Sequence, residues 1–159
     1  FFMPKRFDLE YTGEDGEKHK PVMLHRAIIG TLDRFLAILM EHYAGKFPTW
    51  FAPEQVRILP IADRNNDYAH EVKEMLEEHN IRAEVDGRSR TLDYKVREGQ
   101  EKKVPYMVIV GDDEEESEKL SVRNRNEVEK RDVSLEEFVE EFKKEVEEKR
   151  PQVEVIENL

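Results

Sequence analysis

"VPYMVIVGDDEEESEKLSVRNR", residues 104–125, decides how this chain folds. Its first part, YMVIVG, is an unbroken apolar run rich in Val and Ile. Such a run suits a strand buried on both faces. The charged stretch DDEEES then reads as a turn, and KLSVRN reads as a returning strand. The two strands are close enough to form an antiparallel hairpin, which belongs at the edge of a larger sheet.

The rest of that sheet lies on either side. VRILPI, residues 56–61, is a short apolar strand. In NDYAHEVKEMLEEH, residues 66–79, Tyr68, Val72, Met75 and Leu76 share one helical face, and Asn80 stands where a C-terminal cap belongs. IRAEVD, residues 81–86, alternates as a strand, and residues 91–101 form a weaker helix with Leu92, Lys95 and Val96 on one side. Downstream, Ser134 and Glu137 make a capping box. The helix they open carries Leu135, Phe138, Val139, Phe142 and Val146 on its apolar face. From residue 54 the order is β-α-β-α-β-β-α, which predicts an α/β fold with right-handed crossovers and a mostly parallel sheet.

The first 50 residues read differently. RFDLEYT alternates as a strand, TGEDGEK is a turn, and PVMLHRAI is the expected hairpin partner. Thr31 can cap a helix whose apolar face is Leu32, Phe35, Leu36, Leu39, Met40 and Tyr43, and Gly45 ends it. KFPTWFAP, residues 46–53, with two prolines and adjoining aromatics, suits a linker between two units.

Composition narrows the function. The 159 residues suit one domain, or one domain and part of another. There is no Cys, hence no disulfide framework, thiolate metal site or Cys nucleophile. No apolar run approaches the ~18 residues of a membrane span, and the start FFMPKRFDLEY does not look like a signal peptide. The expectation is a cytoplasmic protein without a membrane partner. Net charge is −11, and residues 111–159 hold 18 acidic against 9 basic residues. A non-specific nucleic-acid binder is basic, so any nucleic-acid contact here has to be local and specific.

Few residues suggest chemistry by themselves. None of the five His pairs with another at metal-ligand spacing. The acids at 112–116 do not follow the Ca²⁺-loop pattern, and there is no Gly-rich phosphate loop. Arg123 and Arg125 stand out, because alternation along a strand puts both on one face, opposite Glu114 and Glu116. Arg presents planar paired donors to base edges, and Glu accepts from a base amino group. That combination suits unstacked bases of an RNA loop. The same residues also suit a cross-strand salt-bridge ladder, and from the residues alone both readings stay open.

Longer motifs carry a resemblance. LHRAIIGTLDRF, EHYAGKFPTWFAPEQVRILPI, YKVREGQEKKVPYMVIVGD and KLSVRNR closely resemble threonyl-tRNA synthetases over essentially the whole chain. The resemblance implies that residues 1–50 are the end of a class II catalytic core, a strand-strand-helix fragment closing in motif 3. Residues 51–159 are then an anticodon-binding domain, a mixed five-stranded sheet with three helices. It implies ATP contacts for Gly30 and Arg34, one zinc ligand in His25, and anticodon contacts for Glu114, Arg123, Ser89, Lys103 and Arg125. Ser89 stands where the family often has Asn, Lys103 replaces a contacting Arg, Asp93 replaces a Gly at a helix start, and EKR at 129–131 replaces a Gly-rich turn.

What the resemblance implies for function follows. The full-length enzyme attaches threonine to its tRNA with ATP and zinc, as a cytoplasmic homodimer. This chain lacks motifs 1 and 2 and two zinc ligands, so it is expected to be a fragment that is inactive alone and binds neither cofactor firmly. Its residues 1–50 are expected to expose an apolar face. The activity left is recognition of the threonine anticodon loop. The other reading is a free-standing synthetase-like module that binds tRNA or regulates without catalysis.

Overall fold

A computed structural model describes all 159 residues, which pack as two units, Phe1–Ile38 and Leu39–Leu159. The second unit holds a five-stranded sheet. Its strands are β3 (Val56–Pro60), β4 (Ala83–Val85), β5 (Tyr106–Val110), β6 (Lys119–Asn124) and β7 (Glu129–Ser134), in the spatial order β4-β3-β5-β6-β7. β3 pairs in parallel with β4 and β5, while β5–β6 and β6–β7 are antiparallel. The sheet is mixed, as the resemblance implies.

All five residues of β5 are buried, and the strand sits at the sheet centre. One face of the sheet carries Tyr106, Val108, Val110, Leu120 and Val122. Packed on it are Ala69, Val72 and Leu76 of α3 (Asn66–Glu78), Phe138, Val139 and Phe142 of α6 (Leu135–Glu147), and Val155 and Ile156 of α7 (Val155–Asn158). Tyr106, Phe138 and Phe142 meet with ring centroids 5.7–6.0 Å apart. The Tyr106 hydroxyl donates to Glu145 Oε2 at 2.7 Å and accepts from the Val155 amide at 3.1 Å.

The other face is only half covered. α4 (Leu92–Glu101) lays Leu92 and Val96 on Leu59, Met107 and Ile109. Gly99 lets the helix come this close, since a Cβ there would lie 2.6 Å from Met107 Sδ. Lys95 is buried and donates to the Pro60 carbonyl at 2.8 Å, and burial lowers its pKa. α4 packs on β3 and β5 and leaves the β6–β7 part of this face without a helix of that length.

Four readings of the sequence are corrected here. DDEEES is not a turn but a short helix, α5 (Asp112–Ser117). Its first turn holds four acids at the positive end of the helix dipole, Glu114 accepts from the Gly111 amide at 2.9 Å, and Glu118 ends it at φ 54°. β6 is not the sheet edge, because β7 adds a fifth strand beyond it. Residues 129–131 are therefore strand; the turn is 125–128, closed by Asn124 Oδ1, which accepts from the amides of Asn126 and Val128. KFPTWFAP is not a loose linker: Pro48, Thr49 and Ala52 are buried. Arg82 donates to the Ala52 carbonyl at 2.7 Å, and Gln55 to the Thr49 carbonyl at 2.9 Å.

In the first unit, α1 (Phe2–Arg6) precedes a two-residue hairpin, β1 (Tyr11–Thr12) with β2 (Lys18–His19), around the expected turn. The strand partner of Tyr11–Thr12 is thus Lys18–His19, not PVMLHRAI. Residues 21–28 form no strand. A strand needs a ladder partner, and none lies beside this segment. α2 (Leu32–His42), whose last four residues belong to the second unit, begins after Thr31, whose carbonyl accepts from the Phe35 amide. The turn after it ends at Gly45 with φ 75°. No residue of α2 is buried, and Leu24 and Ile28 are 91% and 84% exposed.

Candidate nucleic-acid interface

The uncovered half of the sheet face is a groove of about 310 Å³. Its floor is Ile61, Leu92, Val96 and Ile109, and its polar rim is Asp93, Asp113, Glu114, Ser121, Arg123, Glu129 and Arg131. Three elements present the key side chains. α5 supplies Glu114, β6 supplies Ser121 and Arg123 on alternate positions, and β7 supplies Glu129 directly opposite Arg123.

Glu114 is held at two points. Oε1 accepts from Ser121 Oγ at 2.7 Å and Oε2 from the Gly111 amide at 2.9 Å. A carboxylate has about four lone-pair sites, so it retains acceptor capacity toward the groove. Arg123 is under-used. Its Nη1 reaches Glu129 Oε2 only at 3.5 Å, and its Nε is buried without a partner. A guanidinium with idle donors and a fastened carboxylate share one groove, which suits a planar ligand edge offering both acceptors and a donor.

α5 is anchored from the end of the neighbouring parallel strand, β3. Arg64 donates to both Asp112 oxygens at 2.8 and 2.5 Å, and Asn65 donates to Asp112 at 2.9 Å. The Arg64 hydrogen bonds, then those of Asn65, pull the Asp112 pKa down to about 2. Beside the groove, sharing Ile61 with it, lies a second hollow of about 570 Å³ lined by Asp63, Ser89, Arg90, Thr91 and Tyr94. Ser89 Oγ donates to Asp63 Oδ2 at 3.3 Å, and the Arg90 guanidinium lies 5.6 Å from the Tyr94 ring centroid. Asp93 leaves the helix start intact, because Thr91 caps it.

The structure therefore brings Glu114 and Arg123 into one groove and Ser89 next to it. It does not bring in the others. β6 ends at Asn124, and Arg125 turns away to donate to the Phe47 carbonyl at 2.6 Å, where burial lowers its pKa. Glu116 lies on α5 outside the groove lining, so the expected pairing of Arg123 and Arg125 with Glu114 and Glu116 is corrected. Lys103, at φ 60°, donates to the Ala44 carbonyl instead. Reading by strand alternation missed Glu129 and Arg131, because nothing apolar marks β7 except Val133.

Family comparison assigns this architecture. A family model described as the anticodon binding domain matches residues 55–145. The chain belongs to the anticodon-binding domain family. Threonine–tRNA ligases of Caldanaerobacter subterraneus subsp. tengcongensis and of Clostridium botulinum strain Hall are each 53% identical to it. They match over 92% and 94% of this chain but only 23% and 24% of their own length. The chain thus spans about a quarter of the relatives it matches. The RNA binding domain of threonyl-tRNA synthetase from Cryptosporidium parvum superposes with a TM-score of 0.77 at 30% identity, over 89% of this chain and 36% of that one. A prolyl-tRNA synthetase of the same organism, at 22% identity and a TM-score of 0.66, shares the fold.

The residues implied for a catalytic core all lie in the first unit. His25 and Arg34 are exposed, and Gly30 has φ 73° with open space around it. No group of three or more His, Cys, Asp or Glu is placed to hold a metal ion. Of the residues implied for a zinc site only His25 is in this chain, and a single His does not by itself fit the metal. No helix is long and apolar enough to cross a membrane.

Proposed function

We propose that this anticodon-binding domain recognises the anticodon loop of threonine tRNA, as part of a ligase that attaches threonine to that tRNA. The observation that carries the reading is the groove whose lining Arg123, held only by a 3.5 Å approach to Glu129, shares with the fastened Glu114. Unstacked loop bases can enter it edge-on. Arg123 donates to base acceptors, Glu114 accepts from a base amino group, and Ser89 with the Arg90–Tyr94 pair borders the neighbouring hollow. Lys103 and Arg125 serve in positioning backbone segments in this reading. The identity to threonine–tRNA ligases supports the choice of tRNA.

In the same reading residues 51–159 are the recognition domain and residues 1–50 are the end of a catalytic core. There Arg34 and Gly30 contribute to an ATP site and His25 to a zinc site completed by residues outside this chain. The exposed apolar side chains of this region, Leu24, Ile28 and Leu32 among them, suit cover by the rest of such a core. The full-length enzyme acts as a cytoplasmic homodimer. The chain alone, without the remaining core, is inactive in aminoacylation.

The test is binding of a labelled threonine anticodon stem-loop to the chain and to Arg123→Ala. The variant is expected to lose roughly 1–3 kcal/mol for the threonine anticodon and little for a stem-loop with other anticodon bases. An equal loss on both contradicts base reading by Arg123.

A further inference from the structure

β7 carries a bulge that decides what the groove contains. Leu120 pairs with Val133, but Val122 pairs with Lys130, and the register shifts between them. Ser121 therefore faces both Arg131 and Asp132, and Asp132 absorbs the extra residue at φ 58°. Strict alternation from Glu129 would put Arg131 on the groove face and Val133 there too. The bulge separates them: Val133 turns into the core, 2% exposed, and Arg131 stays on the groove rim.

Arg131 and Arg123 are the groove's two basic residues, and they share Glu129. Its Oε2 lies 3.5 Å from Arg123 Nη1, and its Oε1 accepts from Arg131 Nε at 3.1 Å. The Arg131 side chain is 76% exposed, and its two terminal nitrogens have no partner in the protein. The remaining charged rim groups, Asp93, Asp113 and Glu114, repel a phosphate. Arg131, at the outer edge strand, is where an anionic backbone entering the groove can be met.

We infer that Arg131 is a further RNA-contacting residue. It takes a backbone phosphate of the loop whose bases Arg123 and Glu114 read, with Glu129 spacing the two guanidiniums. This rests on the anticodon-loop reading above. Phosphate contacts set position and register and carry no sequence information, so Arg131 contributes affinity and Arg123 contributes discrimination.

The experiment measures binding of two labelled stem-loops, one with the threonine anticodon and one with other anticodon bases, across KCl concentrations. The proteins are the full chain, Arg131→Ala and Arg131→Lys. For Arg131→Ala both stem-loops are expected to weaken several-fold by the same factor. The slope of log affinity against log salt should fall by about 0.7–1. Arg131→Lys should restore the slope. Wild-type discrimination with an unchanged slope in Arg131→Ala overturns the role of Arg131 and leaves the anticodon reading standing. Loss of discrimination alone in Arg131→Ala also overturns it, by making Arg131 a base reader. No discrimination by the wild type overturns both.

Discussion

Arg123 and Asp112 show two fates of charge beside one groove. Arg123 is left with an unpaired Nε, whereas Asp112 accepts three hydrogen bonds from Arg64 and Asn65. Asp112 is the anchor of α5, so its titration reports whether Glu114 is held in place. Its folded pKa, about 2, lies below the ordinary 3.8, so its contribution is present above the ordinary value and is lost as pH falls toward 2. Carboxyl NMR should find the Asp112 midpoint near 2 in the wild type and raised toward the usual carboxylate range, about 3.9, in Arg64→Ala. An unchanged midpoint would show that Arg64 does not hold it. At this scale the sequence was partly legible. That Glu114 and Arg123 come together was reachable from motif and chemistry. Arg125 was misread because alternation holds only while the strand lasts, and β6 stops one residue earlier.

At the scale of elements, the apolar runs of β3 and β5, the caps at Asn80 and Ser134, and the amphipathic α3 and α6 were all legible. The physical reason is that each buries a face large enough to leave a periodic signature. α5 and β7 left none. α5 buries no residue and is stabilised by its dipole, by Glu114 on the Gly111 amide and by Arg64 across the sheet end. β7 is an edge strand whose bulge breaks the period of two. PVMLHRAI failed in the opposite sense: it has strand composition without a neighbour to pair with. The contact between β5, α6 and α7 yields a prediction. Tyr106→Phe removes one of the donors to the buried Glu145 and one of the two acceptors of the Val155 amide. Urea unfolding should show a loss of about 1–3 kcal/mol; a neutral result would mean that the hydroxyl is replaced without cost.

For the molecule as a whole, charge sets how RNA can be bound. A net −11, with the excess acid in residues 111–159, opposes a non-specific phosphate contact. Affinity then has to come from a small number of placed groups, and the open half of the sheet face provides them. The family resemblance was carried by long motifs, while the groove itself depends on which half of a sheet a ten-residue α4 leaves bare. That is a tertiary fact with no local signal. One measurement, made at fixed moderate salt, tests this recognition most directly. The chain is titrated with two stem-loops that share a stem and differ only in the anticodon bases. Recognition through Arg123 and Glu114 predicts at least tenfold tighter binding of the threonine anticodon, about 1.4 kcal/mol. Equal affinity for the two would contradict it.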